Sequence, residues 1–168
     1  LEKVHPTEIG MLADPKTGLR DLADALEQEM SGSAQEAAKT RAVSIADEKR
    51  QAKAALQTRV KDGWGRKPMS VGRMMTELSQ ALPANAIVTE EALTSRQAIY
   101  DAMDFDEPGS YHGLRGGALG FGMPGAVGVQ LAVPSRPVVG VVGDGASMYT
   151  VQALWTAARY NIPVTWVI

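Results

Sequence analysis

The sequence contains no cysteine among its 168 residues. That absence excludes a disulfide framework and any metal site built from thiolates. No apolar run approaches the length needed to cross a membrane. Net charge is also low, at −2 from 17 basic and 19 acidic residues, which argues against a general nucleic-acid binder. We therefore expect neither nucleic acid nor membrane as a partner, and a cytoplasmic location.

The composition predicts one domain-sized core and an exposed helical linker. Hydrophobic residues make up 45% and charged residues 21% of the chain, which suits a folded protein. Residues 31–67 are rich in Ala, Gln, Lys, Arg and Glu and contain few large apolar side chains, so we expect an exposed helix there. We expect one domain to end within residues 1–30 and another to begin at residue 68.

The first 30 residues suggest a short strand followed by a helix. Residues 8–14 fit a strand that runs into a turn at Pro15, since proline keeps the preceding residue out of a helical conformation. Asp21 is then a candidate N-cap for a helix whose inner face holds Leu22, Ala25 and Leu26. His5 is interpreted as a surface residue.

After residue 68 the pattern changes to helix, strand and loop. Ser70 is a plausible N-cap for an amphipathic helix that Pro83 ends. A strand over residues 86–89 follows, and its C-terminal end delivers residues 90–95. In open parallel sheets ligands bind beyond the C-terminal ends of strands, so we expect residues 90–95 to lie at a binding site. Ser95 could instead cap the next helix.

A second strand, a tight turn and a helix start are predicted between residues 137 and 149. Val138–Val142 is a β-branched run typical of a strand buried on both faces. Gly143 and Gly145 allow close approach of a ligand to the backbone. The following N–H groups, including those of Ala146 and Ser147, are expected at a helix N-terminus, where phosphate binds well.

Asp144 indicates which phosphate ligand this turn suits. In the dinucleotide-binding pattern the third glycine would stand at Met148, so that pattern is broken. A carboxylate beside a diphosphate is repelled unless a divalent cation lies between them. Asp144 is therefore predicted as a Mg²⁺ ligand. The alternative is an aspartate that only caps the helix.

A glycine-rich stretch over residues 109–125 precedes another apolar helix. Many glycines in such a place indicate that another backbone or a flat ligand approaches closely. Taken alone, the stretch is more commonly explained as a glycine-rich packing turn. His112 and Arg115 lie within it, and for His112 we favour an exposed loop position without a role in substrate binding.

Two of these motifs resemble thiamine-diphosphate enzymes, in particular the group of benzoylformate decarboxylase and acetolactate synthase. Gly-Asp-Gly at 143–145 and the run 149–163 resemble the family's diphosphate motif, and residues 116–124 resemble the segment that holds the aminopyrimidine ring. The resemblance implies an α/β fold with a doubly wound parallel sheet, and thiamine diphosphate and Mg²⁺ as cofactors. It assigns the metal to Asp144 and the cofactor to Leu93, Thr94, Gly117, Leu119, Gly143, Gly145, Ala146 and Ser147.

The resemblance also implies a reaction. It favours decarboxylation of a small 2-oxo acid, with C–C cleavage through a carbanion held on the cofactor. The alternatives are an acetolactate-synthase-like carboligase and, from another class, a non-enzymatic nucleotide-binding or interaction module. No residue matches the family's activating glutamate, which comes from a separate domain of the neighbouring subunit, so no catalytic residue is predicted. A homodimer or homotetramer is expected.

The resemblance finally suggests what part of such an enzyme the sequence represents. Residues 1–30 resemble the end of the family's middle domain, and residues 68–168 resemble the first half of its diphosphate-binding domain. The family's motif closes with Asn-Asn at a point beyond Ile168. We therefore expect a fragment with an incomplete sheet, preceded by a strand and helix remnant and a helical linker. We expect that fragment to be inactive by itself.

Overall fold

The computed structural model describes residues 6–168, so His5 lies outside the described residues. In chain order the elements are α1 (Pro15–Glu29), α2 (Gly32–Asp62), α3 (Val71–Ala81), β1 (Ile87–Glu91), α4 (Arg96–Ala102), β2 (Tyr111–Gly113), α5 (Gly122–Ala132), β3 (Val138–Val142), α6 (Asp144–Tyr149), α7 (Ala153–Arg159) and β4 (Val164–Val167). They form two units, one up to Ala52 and one over Lys53–Ile168, and the division falls inside α2. Among the described helices, none is long and apolar enough to span a membrane.

The first unit is helical, and the strand expected over residues 8–14 is not formed. Helix α1 begins at Pro15, where the fixed φ of proline suits the first helical turn. The Asp14 side chain caps α1 by accepting the Thr17 N–H at 3.0 Å. Asp21 therefore lies inside the helix, and the assignment of Asp21 as N-cap is wrong. The face predicted to be buried is exposed, at 45% for Leu22.

Helix α2 occupies most of the stretch predicted as a linker. It runs for 31 residues and buries none of its side chains. Its large apolar residues are sparse and do not form a continuous stripe, so it has no strongly apolar face to pack against a core. The structure thus contains the exposed helix that the composition predicts.

The second unit contains a four-stranded parallel sheet, counted over the described residues, with the order β2-β1-β3-β4. Strands β1 and β3 lie side by side over their full lengths, with Ile87 opposite Val138 and Glu91 opposite Val142. Helices α3 and α4 pack together on one face, while α5 packs on β1, β3 and β4 and contacts α7. The predicted α/β class with a doubly wound parallel sheet is confirmed.

Alternate residues of each strand build separate cores on the two faces. On the α3 and α4 side, Met75 and Ile99 pack with Val88 and Val139. On the α5 side, Ala126 packs with the preceding strand residues, Ile87 and Val138. This alternation explains why both strands are apolar without a polar face, since each side of the sheet is covered.

Replacing Ile99 by Ala should destabilise the protein by about 2–5 kcal/mol, the range for deleting a fully buried aliphatic side chain. Ile99 is 0% exposed and lies in the core between α4 and the sheet. As a control, Leu131→Ala on α5 should change stability by less than about 0.5 kcal/mol, because Leu131 is 63% exposed. Denaturant unfolding of both variants checks this expectation, and equal effects would contradict the assignment of the core.

Candidate functional site

Three loops leave the sheet at the C-terminal ends of its strands. The phosphate segment is defined here as residues 92–95 after β1, the ring segment as residues 114–121 after β2, and the diphosphate turn as residues 143–146 after β3. Because the three strands are parallel, the three segments follow the same edge of the sheet. This is the edge at which ligands bind in open parallel sheets.

A cavity of about 390 Å³ opens between the phosphate segment and the diphosphate turn. Thr94 and Ser95 line it from one side, and Gly143 and Asp144 line it from the other. Apolar side chains of α3 and the strand ends complete the wall. The structure therefore brings three of the sequence-predicted residues, Thr94, Gly143 and Asp144, to one cavity.

Asp144 is the first residue of α6 and is exposed. Gly143 occupies the N-cap position, and α6 has no side-chain cap hydrogen bond. The alternative in which Asp144 only caps the helix is therefore wrong. The carboxylate is free of that role and lies at the rim of the cavity.

The free backbone donors of the diphosphate turn lie earlier in the chain than the sequence predicts. Ser147 donates its N–H to the Gly143 carbonyl at 2.8 Å, and its hydroxyl donates to the Asp144 carbonyl at 2.7 Å. The expectation that Ser147 presents a free N–H is therefore wrong, since α6 begins earlier than expected. The N–H groups of residues 144–146 belong to the first turn, which has no acceptor within its own helix. The Ala146 side chain is buried, so only its backbone could meet a ligand.

Neither side-chain packing nor backbone conformation requires a glycine at position 145. A Cβ built there would have no atom within 4 Å, and its φ does not lie in the left-handed region. The absent side chain leaves open space directly above the turn. A ligand could use that space to approach the backbone N–H groups.

The phosphate segment is accessible. Leu93 is 57% exposed, and Thr94 is also exposed. Ser95 stands at the N-cap position of α4 but makes no side-chain capping bond. The capping alternative for Ser95 is thus wrong, and Ser95 lines the cavity beside Thr94.

The ring segment is shaped by glycines with left-handed backbone angles. Gly116 and Gly117 have φ values of 75° and 74°, and Gly120 has 105°, so side chains at these positions would be strained. Leu119 is 39% exposed and is absent from the hydrophobic clusters of the described residues. Neither Gly117 nor Leu119 lines the cavity that holds Asp144. The structure therefore places the ring segment at the same sheet edge, but outside that cavity.

Sequence reasoning missed two consecutive buried carboxylates. Strand β1 extends through Glu90 and Glu91, and both residues are 0% exposed. Two acids in succession at the end of an apolar strand were the available signal, because a buried carboxylate needs hydrogen-bond partners. The two side chains alternate across the sheet, so each finds different partners.

Glu90 is held by the phosphate segment and by the residues beside it. It accepts the Ala92 N–H at 2.5 Å, the Arg96 Nε–H at 2.8 Å and the Tyr111 hydroxyl at 2.9 Å. The hydrogen bond that Arg96 donates to Glu90 raises the pKa of Arg96. Burial raises the pKa of Tyr111, and its hydrogen bonds to Tyr100 and Glu90 raise it further. Because the Tyr111 proton goes to Glu90, the Tyr100 hydroxyl must donate to Tyr111 across their 2.9 Å contact.

Glu91 is held by the ring segment and the start of α5. Its carboxylate accepts the N–H of Gly120 and the N–H of Gly122, each at 2.6 Å. Its own carbonyl accepts the Gly143 N–H at 3.0 Å. Glu91 thus contacts two of the three segments defined above.

His112 and Arg115 differ in their placement. His112 lies in β2 opposite Thr89 and is half-buried, so the favoured loop position is wrong. The short strand that contains His112 pairs with β1. The glycines on either side of His112 are not typical of a strand, so the sequence did not predict one. Arg115 is exposed in the ring segment.

The donor set fits a magnesium ion shared with phosphates. Across residues 6–168 there is no cluster of three or more His, Cys, Asp or Glu side chains that could hold a metal. Mg²⁺ commonly binds through one or two carboxylates, with waters and substrate phosphates filling its octahedron. Asp144 beside the open turn at Gly145 provides such a partial site. Asp144 and the adjacent backbone are the groups that could hold the ion.

Comparison with known proteins finds a protein-family match for much of the second unit. Residues 94–168 match the family described as thiamine pyrophosphate enzyme, C-terminal TPP binding domain. The chain is 44% identical over 86 residues to benzoylformate decarboxylase of Pseudomonas aeruginosa. The aligned region covers 51% of this chain and 16% of that protein. It is 49% identical over 61 residues to the acetolactate synthase large subunit of Haemophilus influenzae, covering 36% of this chain and 11% of that protein.

Solved structures agree with this match. The thiamine diphosphate-dependent 4-hydroxybenzoylformate decarboxylase of Rhodococcus jostii superposes with a TM-score of 0.57 at 40% identity, covering 58% of this chain and 19% of that chain. The chain therefore spans less than a fifth of the length of each of these relatives.

Replacing Gly122 by Ala should destabilise the protein by about 1–3 kcal/mol, since overpacking a filled site forces neighbours apart. A Cβ at Gly122 would lie 2.8 Å from both the Glu91 Cβ and the Val142 Cγ2. Gly128→Ala is the matched control on the same helix, where a Cβ meets nothing within 4 Å. We expect Gly128→Ala to stabilise by about 0.4–1 kcal/mol. Thermal melts that rank the two variants in the opposite order would contradict the packing described.

Proposed function

We propose that the protein is a thiamine-diphosphate- and Mg²⁺-dependent decarboxylase of a small 2-oxo acid, within the thiamine pyrophosphate enzymes whose C-terminal domain residues 94–168 match. The observation that carries this proposal is the cavity at the sheet edge, where Thr94 faces Gly143 and Asp144. The close approach that Gly143 allows, the hydroxyl of Thr94 and the carboxylate of Asp144 are suitable features for binding a diphosphate together with Mg²⁺. The similarity of the chain to benzoylformate decarboxylase favours the lyase reaction, which is decarboxylation.

In this proposal the diphosphate turn and the phosphate segment hold the phosphates. The N–H groups of residues 144–146 would donate to phosphate, and the Thr94 hydroxyl with the Leu93 backbone would contribute from the other loop. The Asp144 carboxylate would hold the Mg²⁺ ion, since a bare carboxylate beside a diphosphate would be repelled. Gly143 and Gly145 leave the space for this approach.

The ring segment would hold the aminopyrimidine ring. The Gly117 carbonyl would accept from the ring's amino group, and the Leu119 side chain would pack against the cofactor. When bound, thiamine diphosphate would supply a nucleophilic carbon and an electron sink for decarboxylation. The residues of this chain would orient the cofactor, and the glutamate that activates the ring would come from a separate domain of the neighbouring subunit in a homodimer or homotetramer.

Two other functions remain as distinct candidates. Similarity to an acetolactate synthase supports a carboligase that would join a decarboxylated 2-oxo acid to a second 2-oxo acid. Release of an aldehyde from a 2-oxo acid, measured against formation of an acetohydroxy acid, separates these two reactions. A non-enzymatic nucleotide-binding module would bind a nucleotide in preference to thiamine diphosphate, which competition binding would reveal.

Asp144→Ala should abolish Mg²⁺-dependent binding of thiamine diphosphate in the natural protein and leave its stability unchanged. The side chain is exposed and caps nothing, so its loss removes a ligand without opening the core. Calorimetric titration with and without Mg²⁺ measures the effect. Asp106→Ala, which removes an exposed aspartate outside the proposed site, is the control. Binding by Asp144→Ala with unchanged Mg²⁺ dependence would refute the metal assignment.

Leu119→Ala should lower catalysis far more than stability. Because Leu119 is 39% exposed, we expect the free energy of unfolding to fall by less than about 1 kcal/mol without cofactor, well below the cost of a buried Leu. Denaturant melts of the cofactor-free protein, together with turnover measurements, test both parts. Leu131→Ala serves as an exposed leucine outside the site. A loss of several kcal/mol in the cofactor-free protein would instead assign Leu119 to packing.

A further inference from the structure

Glu91 joins the ring segment and the start of α5 to the diphosphate turn through three hydrogen bonds. Its two carboxylate oxygens accept the N–H groups of Gly120 and Gly122, both at 2.6 Å. Its carbonyl accepts the Gly143 N–H at 3.0 Å. The side chain and the backbone of one residue therefore fix two segments that lie far apart in sequence.

The carboxylate of Glu91 depends on these backbone donors. It is 0% exposed, and within residues 6–168 the ion pairs include none that involves Glu91. A buried carboxylate is costly unless hydrogen bonds compensate it, and N–H groups that donate to an ionised oxygen form short, strong bonds. Two bonds of 2.6 Å supply that compensation. The position of the ring segment is thus coupled to the burial of this one acid.

The surrounding residues are adapted to this contact. Gly122 lacks the Cβ that would lie 3.0 Å from the Glu91 Oε2, so the carboxylate can reach the backbone. Gly120 has a φ of 105°, which turns its N–H inward at no steric cost. The Thr150 hydroxyl donates to the Gly120 carbonyl at 3.0 Å and holds the same peptide from its other side.

We propose that Glu91 is a positioning residue, which fixes the ring segment relative to the diphosphate turn so that both ends of the cofactor are held at the correct separation. This proposal rests on the proposed function, and Glu91 itself touches neither the cofactor nor the substrate. Glu90 serves as a natural comparison. It is equally buried, but its carboxylate accepts hydrogen bonds from Ala92 in the phosphate segment, Arg96 at the start of α4 and Tyr111 in β2.

The first test needs no ligand. Glu91→Gln keeps the size of the side chain and the backbone bond to Gly143, but its amide NH₂ meets an N–H donor at one of the two contacts. We expect backbone amide exchange to accelerate roughly 10- to 100-fold at whichever of Gly120 and Gly122 faces the NH₂ group, the range for losing one charge-assisted hydrogen bond. Exchange at Ala92 should not change. Glu90→Gln should produce the reverse pattern.

The second test separates the two ends of the cofactor in the natural protein. Thiamine diphosphate needs both segments, whereas inorganic pyrophosphate with Mg²⁺ needs only the phosphate end. Glu91→Gln should weaken binding of thiamine diphosphate by about tenfold or more and leave binding of magnesium pyrophosphate within about threefold. Glu90→Gln should weaken both ligands. A merely structural role for Glu91 would weaken both ligands equally.

The outcomes distinguish this proposal from the function on which it rests. Wild-type protein that binds neither ligand overturns the proposed function and the positioning role together. Wild-type binding with equal losses of both ligands in Glu91→Gln, or with unchanged exchange at Gly120 and Gly122, overturns the positioning role alone. If Glu91→Gln does not fold, Glu91→Asp provides the same measurements, because it retains the charge and shortens the reach. Selective loss of thiamine diphosphate in either variant supports the proposal.

Discussion

The parallel pairing of β1 with β3 is the constraint on which the site depends. Five residue pairs set the register, and the last of them aligns Glu91 with Val142. The residues that follow, the phosphate segment and the diphosphate turn, therefore leave the sheet at the same level. A shift by one residue would exchange the two faces of β1 and place Glu91 among the α3 and α4 core residues. The apolar cores on both faces of the sheet prevent that shift.

The same alternation divides the two buried acids between the two sides of the sheet. Glu90 turns towards Arg96 and Tyr111, and Glu91 turns towards the backbone of Gly120 and Gly122. Each carboxylate costs free energy to bury, and each is compensated by groups that also fix a loop. The loops of the candidate site are held by polar contacts beneath them, while their outer surfaces, including Thr94, Leu119 and Asp144, stay exposed. This separation leaves the exposed groups available to a ligand.

Much of the second unit could be predicted from sequence, because its signals are local. The Ser70 cap, the β-branched run in β3 and the glycine turn each specify their element through neighbouring residues. The failures have longer-range or competing causes. Helix α1 begins at Pro15 with Asp14 as its N-cap, so a competing start signal was present upstream of Asp21. The strand that contains His112 is defined by its pairing with β1, which is a long-range contact. The contacts of Glu91 reach residues 29 and 31 positions away, so no local pattern could reveal them.

We propose that the sheet edge binds thiamine diphosphate through a magnesium ion. Calorimetric titration of the natural protein with thiamine diphosphate, in the presence of Mg²⁺ and again after chelation, is the decisive experiment. We expect saturable binding with Mg²⁺ that is lost on chelation and restored when Mg²⁺ is added back. Binding of equal strength without a divalent cation, or no binding in either condition, would contradict it.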